Sequence, residues 1–408
     1  MPKLTVSLIG FIIILNLFAC QNKKIENADW INSFPSYENR ITLTYSSEKK
    51  FLMDSSTSLN YGIIQYDDST KNVVGFNAFD KSFLLYDYAS ACLKKRIHFP
   101  KETYDELGDL TSYTYSFDFN SFDSIYLFRQ THPRLFWLDS SGKIRKSVDL
   151  MPKENTFSPP SANFGEPFFV VNNQAFISAY PGRNIYMANA GVPDNLVLKV
   201  DMGRDKMNLG VRYPDLYQNA VWGEYMHHFF TAYNPYNKSW VYSFPIDHNL
   251  YQVDSTGFRS KVYGGSEHLT SVTPLSFEKR LERKLKKNEE VDNYRTQHVY
   301  DKILYDSYRH LYYRIVTNAT PAEDLVKVDR GDKTYKFPPF YIIILNEKME
   351  KVGEQEFDTN KYSTVSLFIS EEGICIPRSD VSSDAQLVFD VFKTKHVERQ
   401  QNIAKINP

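Results

Sequence analysis

The chain has 408 residues, with 48 basic against 49 acidic side chains and a formal net charge of −1. That balance argues against a nucleic-acid binder, which needs a basic footprint to neutralise phosphates. Three cysteines are too few for a disulfide framework, while 29 Tyr and 29 Phe favour strands, where aromatic side chains fit the pleated surface.

The N-terminus comes first. Lys3 precedes an apolar stretch, Leu4 to Phe18, that is short of the roughly 20 residues a bilayer span needs and suits a signal-peptide core. It closes on Leu17-Phe18-Ala19-Cys20. Leu at −3, Ala at −1 and Cys at +1 resemble a bacterial lipobox. The resemblance implies removal of residues 1–19 as a signal peptide and diacylation of Cys20, with palmitate-type chains anchoring the protein to a membrane. The alternative is an uncleaved anchor. Gln21 stands where inner-membrane retention uses Asp, so the outer membrane is the expected destination. No acidic run follows Cys20, which favours the periplasmic side and leaves surface display open. Residues 20–39 read as a tether, with an r.m.s. reach of about 25 Å if flexible.

From residue 40 onward one unit recurs: four short apolar-rich strands, a to d, separated by Asp/Asn/Ser/Gly turns. The first copy runs Ile63–Tyr66, Val73–Phe76, Phe83–Tyr86 and Leu93–Phe99. The second is Tyr113–Phe117, Ser124–Phe128, Leu135–Asp139 and Lys143–Val148. The third is Phe168–Val171, Ala175–Ala179, Leu196–Val200 and Met207–Arg212. The fourth is His228–Ala232, Trp240–Phe244, Leu250–Val253 and Phe258–Tyr263. The fifth is Lys302–Tyr305, Leu311–Val316, Tyr341–Leu345 and Lys351–Glu356. The sixth has Val365–Ile369, Gly373–Ile376 and Gln386–Phe392 but no fourth strand, and residues 396–408 form a polar tail. The alternating segment Arg40–Tyr45 supplies the missing strand. The pattern predicts an all-β, six-bladed β-propeller over 40–395, its last blade closed by the N-terminal strand, because closure removes an unpaired edge. An irregular sandwich or two β-domains is the competing arrangement.

The strand pattern resembles six-bladed propellers of the NHL type. Together with the lipobox it is similar to lipid-anchored propeller families of Bacteroidota, of the domain-of-unknown-function kind. The resemblance implies fold and compartment; it brings no catalytic residues.

The a–b and c–d turns are short, whereas the b–c and d–a connections carry the insertions at 180–195, 317–339, 151–165, 213–226 and 264–300. Propeller geometry puts these long loops on one face, where function is expected. The largest holds a predicted helix within about 274–299, capped by Ser276 with Phe277, Leu281 and Leu285 as a narrow apolar stripe; it reads as a lid or as a solvated rim helix. Arg129, Tyr180, Arg183, His248 and Arg378 are the candidate ligand-binding residues, with His132, Arg134 and Asp247 nearby in sequence. Arg pairs with carboxylate or phosphate, so an anionic ligand is one expectation and inter-blade ion pairing the other. Tyr180, Trp222 and Tyr225 offer either stacking surfaces for a glycan or packing between loops.

Other motifs are weaker. Glu224, His227 and His228 match neither H-E-x-x-H nor H-x-x-E-H, and no metal or other cofactor is expected. The turns Asp139–Gly142 and Asp254–Gly257 read as structural. Cys92 and Cys375 fall in the first and last copies; a disulfide is conceivable, and buried thiols are the favoured reading. Two functions stand: a lipid-anchored binding or scaffolding module, with a membrane and an envelope protein or anionic or glycan ligand as partners, and a hydrolase or lyase at the channel mouth.

Overall fold

The computed structural model describes residues 40–397 apart from 58–63, 78, 109–114, 152–158, 163–167, 179–195, 205, 218–219, 221, 224, 256, 270–271, 276–287, 333 and 382–384. Its strands form six four-stranded antiparallel sheets, each ordered by sequence except one. The first strand, β1 (Ile41–Leu52), belongs to that exception. Blade one is β2 (Ile64–Asp67), β3 (Asn72–Asn77), β4 (Ser82–Asp87) and β5 (Leu93–His98). Blade two is β6 (Tyr115–Ser121), β7 (Ser124–Arg129), β8 (Arg134–Leu138) and β9 (Ile144–Asp149). Blade three is β10 (Phe169–Val171), β11 (Gln174–Ser178), β12 (Val197–Asp201) and β13 (Lys206–Gly210). Blade four is β14 (Phe230–Asn234), β15 (Ser239–Ser243), β16 (Asn249–Asp254) and β17 (Gly257–Tyr263). Blade five is β18 (Val299–Asp306), β19 (Leu311–Thr317), β20 (Phe340–Leu345) and β21 (Lys351–Phe357). Blade six is β22 (Phe368–Ser370), β23 (Gly373–Pro377) and β24 (Gln386–His396), with β1 on the outside of β24. The protein is a six-bladed β-propeller.

Strand β1 is twice the length the sequence pattern suggests. It pairs with β24 from Ile41↔His396 to Leu52↔Gln386, through one bulge between Tyr45 and Ser47. Its second half, Ser47-Glu48-Lys49-Lys50, is polar because an outermost strand shows one side to water. The start of β1 is pinned to the preceding blade. The Gln355 Oε1 accepts from Thr42 Oγ1 and Leu43 N–H, both at 2.8 Å, and Arg40 N–H donates to the Val352 carbonyl at 2.8 Å. Gly353 makes this approach possible, since a Cβ there would lie 2.1 Å from the Ile41 carbonyl oxygen.

The apolar core lies between blades rather than in one centre. Separate clusters fill the seams between blades one and two, two and three, five and six, and six and one, and a larger one spans blades three to five. One face carries the tight a–b and c–d reversals. Asp67, Asn234 and Asp306 each end an inner strand and accept a backbone N–H two residues on, with Lys71, Lys238 and His310 in the left-handed region that completes the turn. Asp139, Asp201 and Asn346 do the same at c–d turns. The other face carries the long connections. Among them are α1 (Lys101–Leu107), α2 (Glu289–Arg295) and α3 (Leu325–Asp329). Helix α2 falls inside the predicted helical insertion; the stretch from Ser276 through Phe277, Leu281 and Leu285 lies outside the described residues. Because β1 is a d-type strand, it starts on the turn face, and β24 ends there too.

Cys92 and Cys375 are free thiols. Cys375 is buried in β23, but Cys92 is exposed in the turn before β5, where the pattern of buried thiols does not extend.

Candidate functional site

The six inner strands, β2, β6, β10, β14, β18 and β22, line the central channel. Each has one edge without a strand partner, because neighbouring blades diverge outward. Such edges expose backbone N–H and C=O groups that must find partners. Side chains supply them. Gln65 on β2 grips β6 twice: its Oε1 accepts Phe119 N–H at 2.7 Å and its Nε2 donates to the Phe119 carbonyl at 3.0 Å. Asp118 on β6 accepts Val170 N–H of β10 at 2.6 Å, and Asn120 Nδ2 donates to the Val170 carbonyl at 2.9 Å. Lys302 on β18 donates to the Thr364 carbonyl, ahead of β22, at 2.8 Å.

Between these links is a cavity of about 370 Å³. Its wall is largely aromatic, with Tyr66, Phe117, Phe169, Phe230, Trp240 and Tyr305 among the lining residues. Trp240 packs against Phe176 and Tyr233 at ring-centroid distances of 4.6 and 4.7 Å. Few polar groups interrupt the wall: Gln65, Asp118, Ser178, Thr231, Lys302 and Ser366. Burial pushes the Asp118 carboxyl up to about 7, against the opposing bonds from Val170, Gln65 and Asn120. Burial also lowers the Lys302 ammonium from the ordinary lysine range, more than neighbouring Asp301 raises it. A concave, mostly apolar site with a few polar groups is the usual form of a small-molecule pocket.

Three of the sequence-predicted site residues, Arg129, His248 and Arg378, sit elsewhere, on alternate blades. Arg129, at the end of β7, donates to the carbonyls of Glu106 and Leu107 at 2.9 and 3.1 Å, so it caps the C-terminus of α1. Arg134 pairs with Glu106 and Asp149, and His132 holds the left-handed position of the β7–β8 turn. Arg378 makes a two-pronged pair with Asp380, both contacts 2.7 Å, and reaches Asp390 and Glu48 at 3.5 and 3.7 Å. With three carboxylates around it, Arg378 holds the closing blade together and offers little to an incoming anion. Tyr180 and Arg183 lie outside the described residues, as does Glu224.

His248 is packed into the structure rather than displayed on the surface, and it is among the residues lining a second cavity, of about 890 Å³. It is 2% exposed. Its Nδ1 lies 2.6 Å from the Tyr300 hydroxyl, which itself accepts Ser266 N–H. Burial, then the Arg314 charge, pushes the imidazole down to about 4, so it is neutral near pH 7. Asp247 beside it accepts from Asn249 and from the Tyr251 hydroxyl. Both flank Arg314 on β19, whose donors meet Ser243 Oγ and the carbonyls of Phe244, Asp247, His248 and Gly264 at 2.6–3.4 Å. The Tyr300 ring lies under the guanidinium, 3.3 Å from centroid to carbon. Trp222 is buried in the large core cluster, whereas Tyr225 is exposed and faces His228 and Tyr294. The structure therefore brings no two of Arg129, His248 and Arg378 to a shared site.

The profile of a domain of unknown function, DUF4221, matches residues 34–356, well over half the chain. The chain belongs to the DUF4221 family. A crystal structure of a DUF4221 member from Bacteroides vulgatus ATCC 8482 superposes with a TM-score of 0.70, at 19% identity, over 88% of this chain and 100% of that one. A Bacteroides fragilis NCTC 9343 protein covers 90% of this chain and 98% of its own at 10% identity and a TM-score of 0.49. A gluconolactonase from Xanthomonas campestris reaches 0.45 at 7% identity, over 88% of this chain and 98% of its own. At these identities the likeness is one of fold. No curated protein matches the chain.

Within this DUF4221 propeller, the channel residues Gln65, Asp118 and Lys302 are those sequence reading passed over. A signal exists for two of them: a lone charge in an aromatic strand, as in Phe117-Asp118-Phe119, and an amine at the fourth residue of the strand that opens blade five. Among the described residues no group of three or more His, Cys, Asp or Glu is placed to hold a metal ion, and no helix is long and apolar enough to cross a membrane.

Proposed function

We propose that the protein is a lipid-anchored binding module of the cell envelope, and that its channel receives a small, largely apolar molecule. The aromatic-walled cavity on the propeller axis carries this reading. The lipobox at Cys20 supports the anchor, and Gln21 supports the outer membrane as its place. The tether that would join Cys20 to Arg40 meets the turn face, where β1 begins. The long connections lie on the opposite face and are left to a partner, an envelope protein or an anionic or glycan ligand.

Filling the channel tests the binding role. Thr231→Trp places an indole on the wall, and native mass spectrometry of protein purified from membranes compares the two forms. A small-molecule adduct on the wild type that is absent from the variant supports the reading; identical spectra count against it. Cys20→Ser should abolish metabolic labelling with an alkynyl fatty acid, and unchanged labelling would sink the anchor.

The hydrolase or lyase reading has one observation behind it. Asp118 titrates near neutrality inside a pocket, as general acids do. Turnover of a channel ligand by the wild type, lost in Asp118→Asn, would favour it.

A further inference from the structure

Two of the channel's polar residues are ionisable acid and base, and they stand on opposite sides of the ring. Asp118 belongs to blade two and Lys302 to blade five, three blades apart in a ring of six. Both line the same cavity, with aromatic side chains between them. Their remaining bonding capacity differs in kind. The Asp118 Oδ2 is held by Val170 N–H at 2.6 Å, Oδ1 has a long contact of 3.3 Å from Gln65 Nε2, and the Asn120 side chain also bonds to the carboxyl. A carboxylate oxygen has lone pairs for a further donor. The Lys302 ammonium carries three donors, one of them directed to the Thr364 carbonyl, and it has no ion pair among the described residues. It is half-buried, so a bound anion would meet it in a partly desolvated setting, where a charge-assisted hydrogen bond is strong.

Resting on the channel-binding reading above, we infer that the ligand is a bipolar amphipathic molecule. Its anionic group, a carboxylate or sulfonate, pairs with Lys302; a hydroxyl or ammonium at the other end donates to Asp118; an apolar or aromatic body fills the space between. Neither anchor is chemically suited to the other's partner. Lys302 has donors alone, and Asp118, once ionised above about pH 7, has acceptors alone. The channel therefore fixes the direction in which such a molecule lies across it.

Three dansyl probes separate the elements of this inference, since they share one fluorophore and differ in charge. Dansylglycine is anionic, dansylamide neutral and dansylcadaverine cationic. Titration of the mature full-length protein should show all three brightening on binding. Lys302→Met should weaken dansylglycine about tenfold, the scale of one charge-assisted hydrogen bond, and leave dansylamide unchanged. Lys302→Gln, a second uncharged variant, should behave alike. Asp118→Asn, which keeps an oxygen for Val170 N–H, should weaken dansylcadaverine about tenfold and spare the other two. Binding of all three with affinities that neither variant changes overturns the charge assignment and leaves the channel reading standing. Binding of none of them, in a protein whose circular dichroism is that of a folded propeller, overturns both.

Discussion

Blade five carries two sheltered cations on adjacent strands, and they are held in opposite ways. Arg314 on β19 is completely buried, with its donors distributed over Ser243 Oγ and four carbonyls of the preceding blade and its plane against Tyr300. Lys302 on β18 is half-buried at the channel wall, with one bond to a carbonyl. Burial lowers both, Arg314 to about 10. What distinguishes them is satisfaction. A cation whose donors all end on its own protein is part of the scaffold, whereas one with donors left over inside a cavity is a place for something else. The same test sorts Arg378, encircled by carboxylates, with Arg314; Arg129 gives its terminal nitrogens to the end of α1 and keeps a buried Nε without a partner among the described residues.

The largest effect should come from Arg314→Met. Several buried carbonyls lose their donor, and thermal or urea unfolding should show a loss of about 3–5 kcal/mol. A loss below about 1 kcal/mol would break the comparison, because it would make Arg314 as dispensable as a surface charge.

Arg314→Lys comes next, at about 2 kcal/mol, because one ammonium has three donors and no planar fork with which to reach the same acceptors. Equal stability of Lys and Arg there would show that charge alone matters at this seam.

A pair of substitutions with opposite pH signatures follows. Asp118 has its folded value raised to about 7, so its contribution is present below the unfolded value near 3.8 and lost as pH rises through 7. His248 has its folded value lowered to about 4; its contribution is present above the unfolded value near 6.5 and lost as pH falls through 4. Between pH 4 and 6.5 the two slopes oppose each other. Asp118→Asn should therefore leave a stability that rises with pH across that window. His248→Asn should leave one that falls, each by on the order of 2 kcal/mol in urea titrations. Parallel profiles for the two variants would refute the assignment.

The smallest effect on stability belongs to Lys302→Met. Removing a partly desolvated charge with a single hydrogen bond should leave unfolding within about 0.5 kcal/mol of wild type. A cost as large as that of Arg314→Met would move Lys302 into the scaffold and end its candidacy for a ligand.

The ring was legible in the chain because each blade repeats local chemistry: an apolar strand, then Asp or Asn, then a small or polar reversal, as at Asp67, Asp139 and Asn346. The closing strand was legible from arithmetic, the last copy one strand short at one end of the chain and one strand extra at the other. The site was not, for a geometric reason. Whether an inner-strand residue faces the channel or the neighbouring blade depends on strand twist and on bulges such as that between Tyr300 and Ile303. Arg129 and Arg378 drew notice as cations at strand ends, yet their partners, the Glu106 carbonyl and Asp390, are set by a helix and a closing strand that sequence spacing does not position. Helix α1 itself went unread. Its seven residues carry no apolar stripe long enough to register, and only Pro100 before and Gly108 after mark it.

The β1–β24 ladder has a mechanical consequence. A pull on the chain ahead of Ile41 enters at the turn-face end of β1 and runs along the strand. Its backbone bonds to β24 then share the load in parallel rather than parting one by one. Gln355 and the Val352 carbonyl add a cleat at the point of entry. The strand that completes the ring is thus also loaded like a lap joint, in its strongest direction, whenever the propeller is held by its N-terminus against drag.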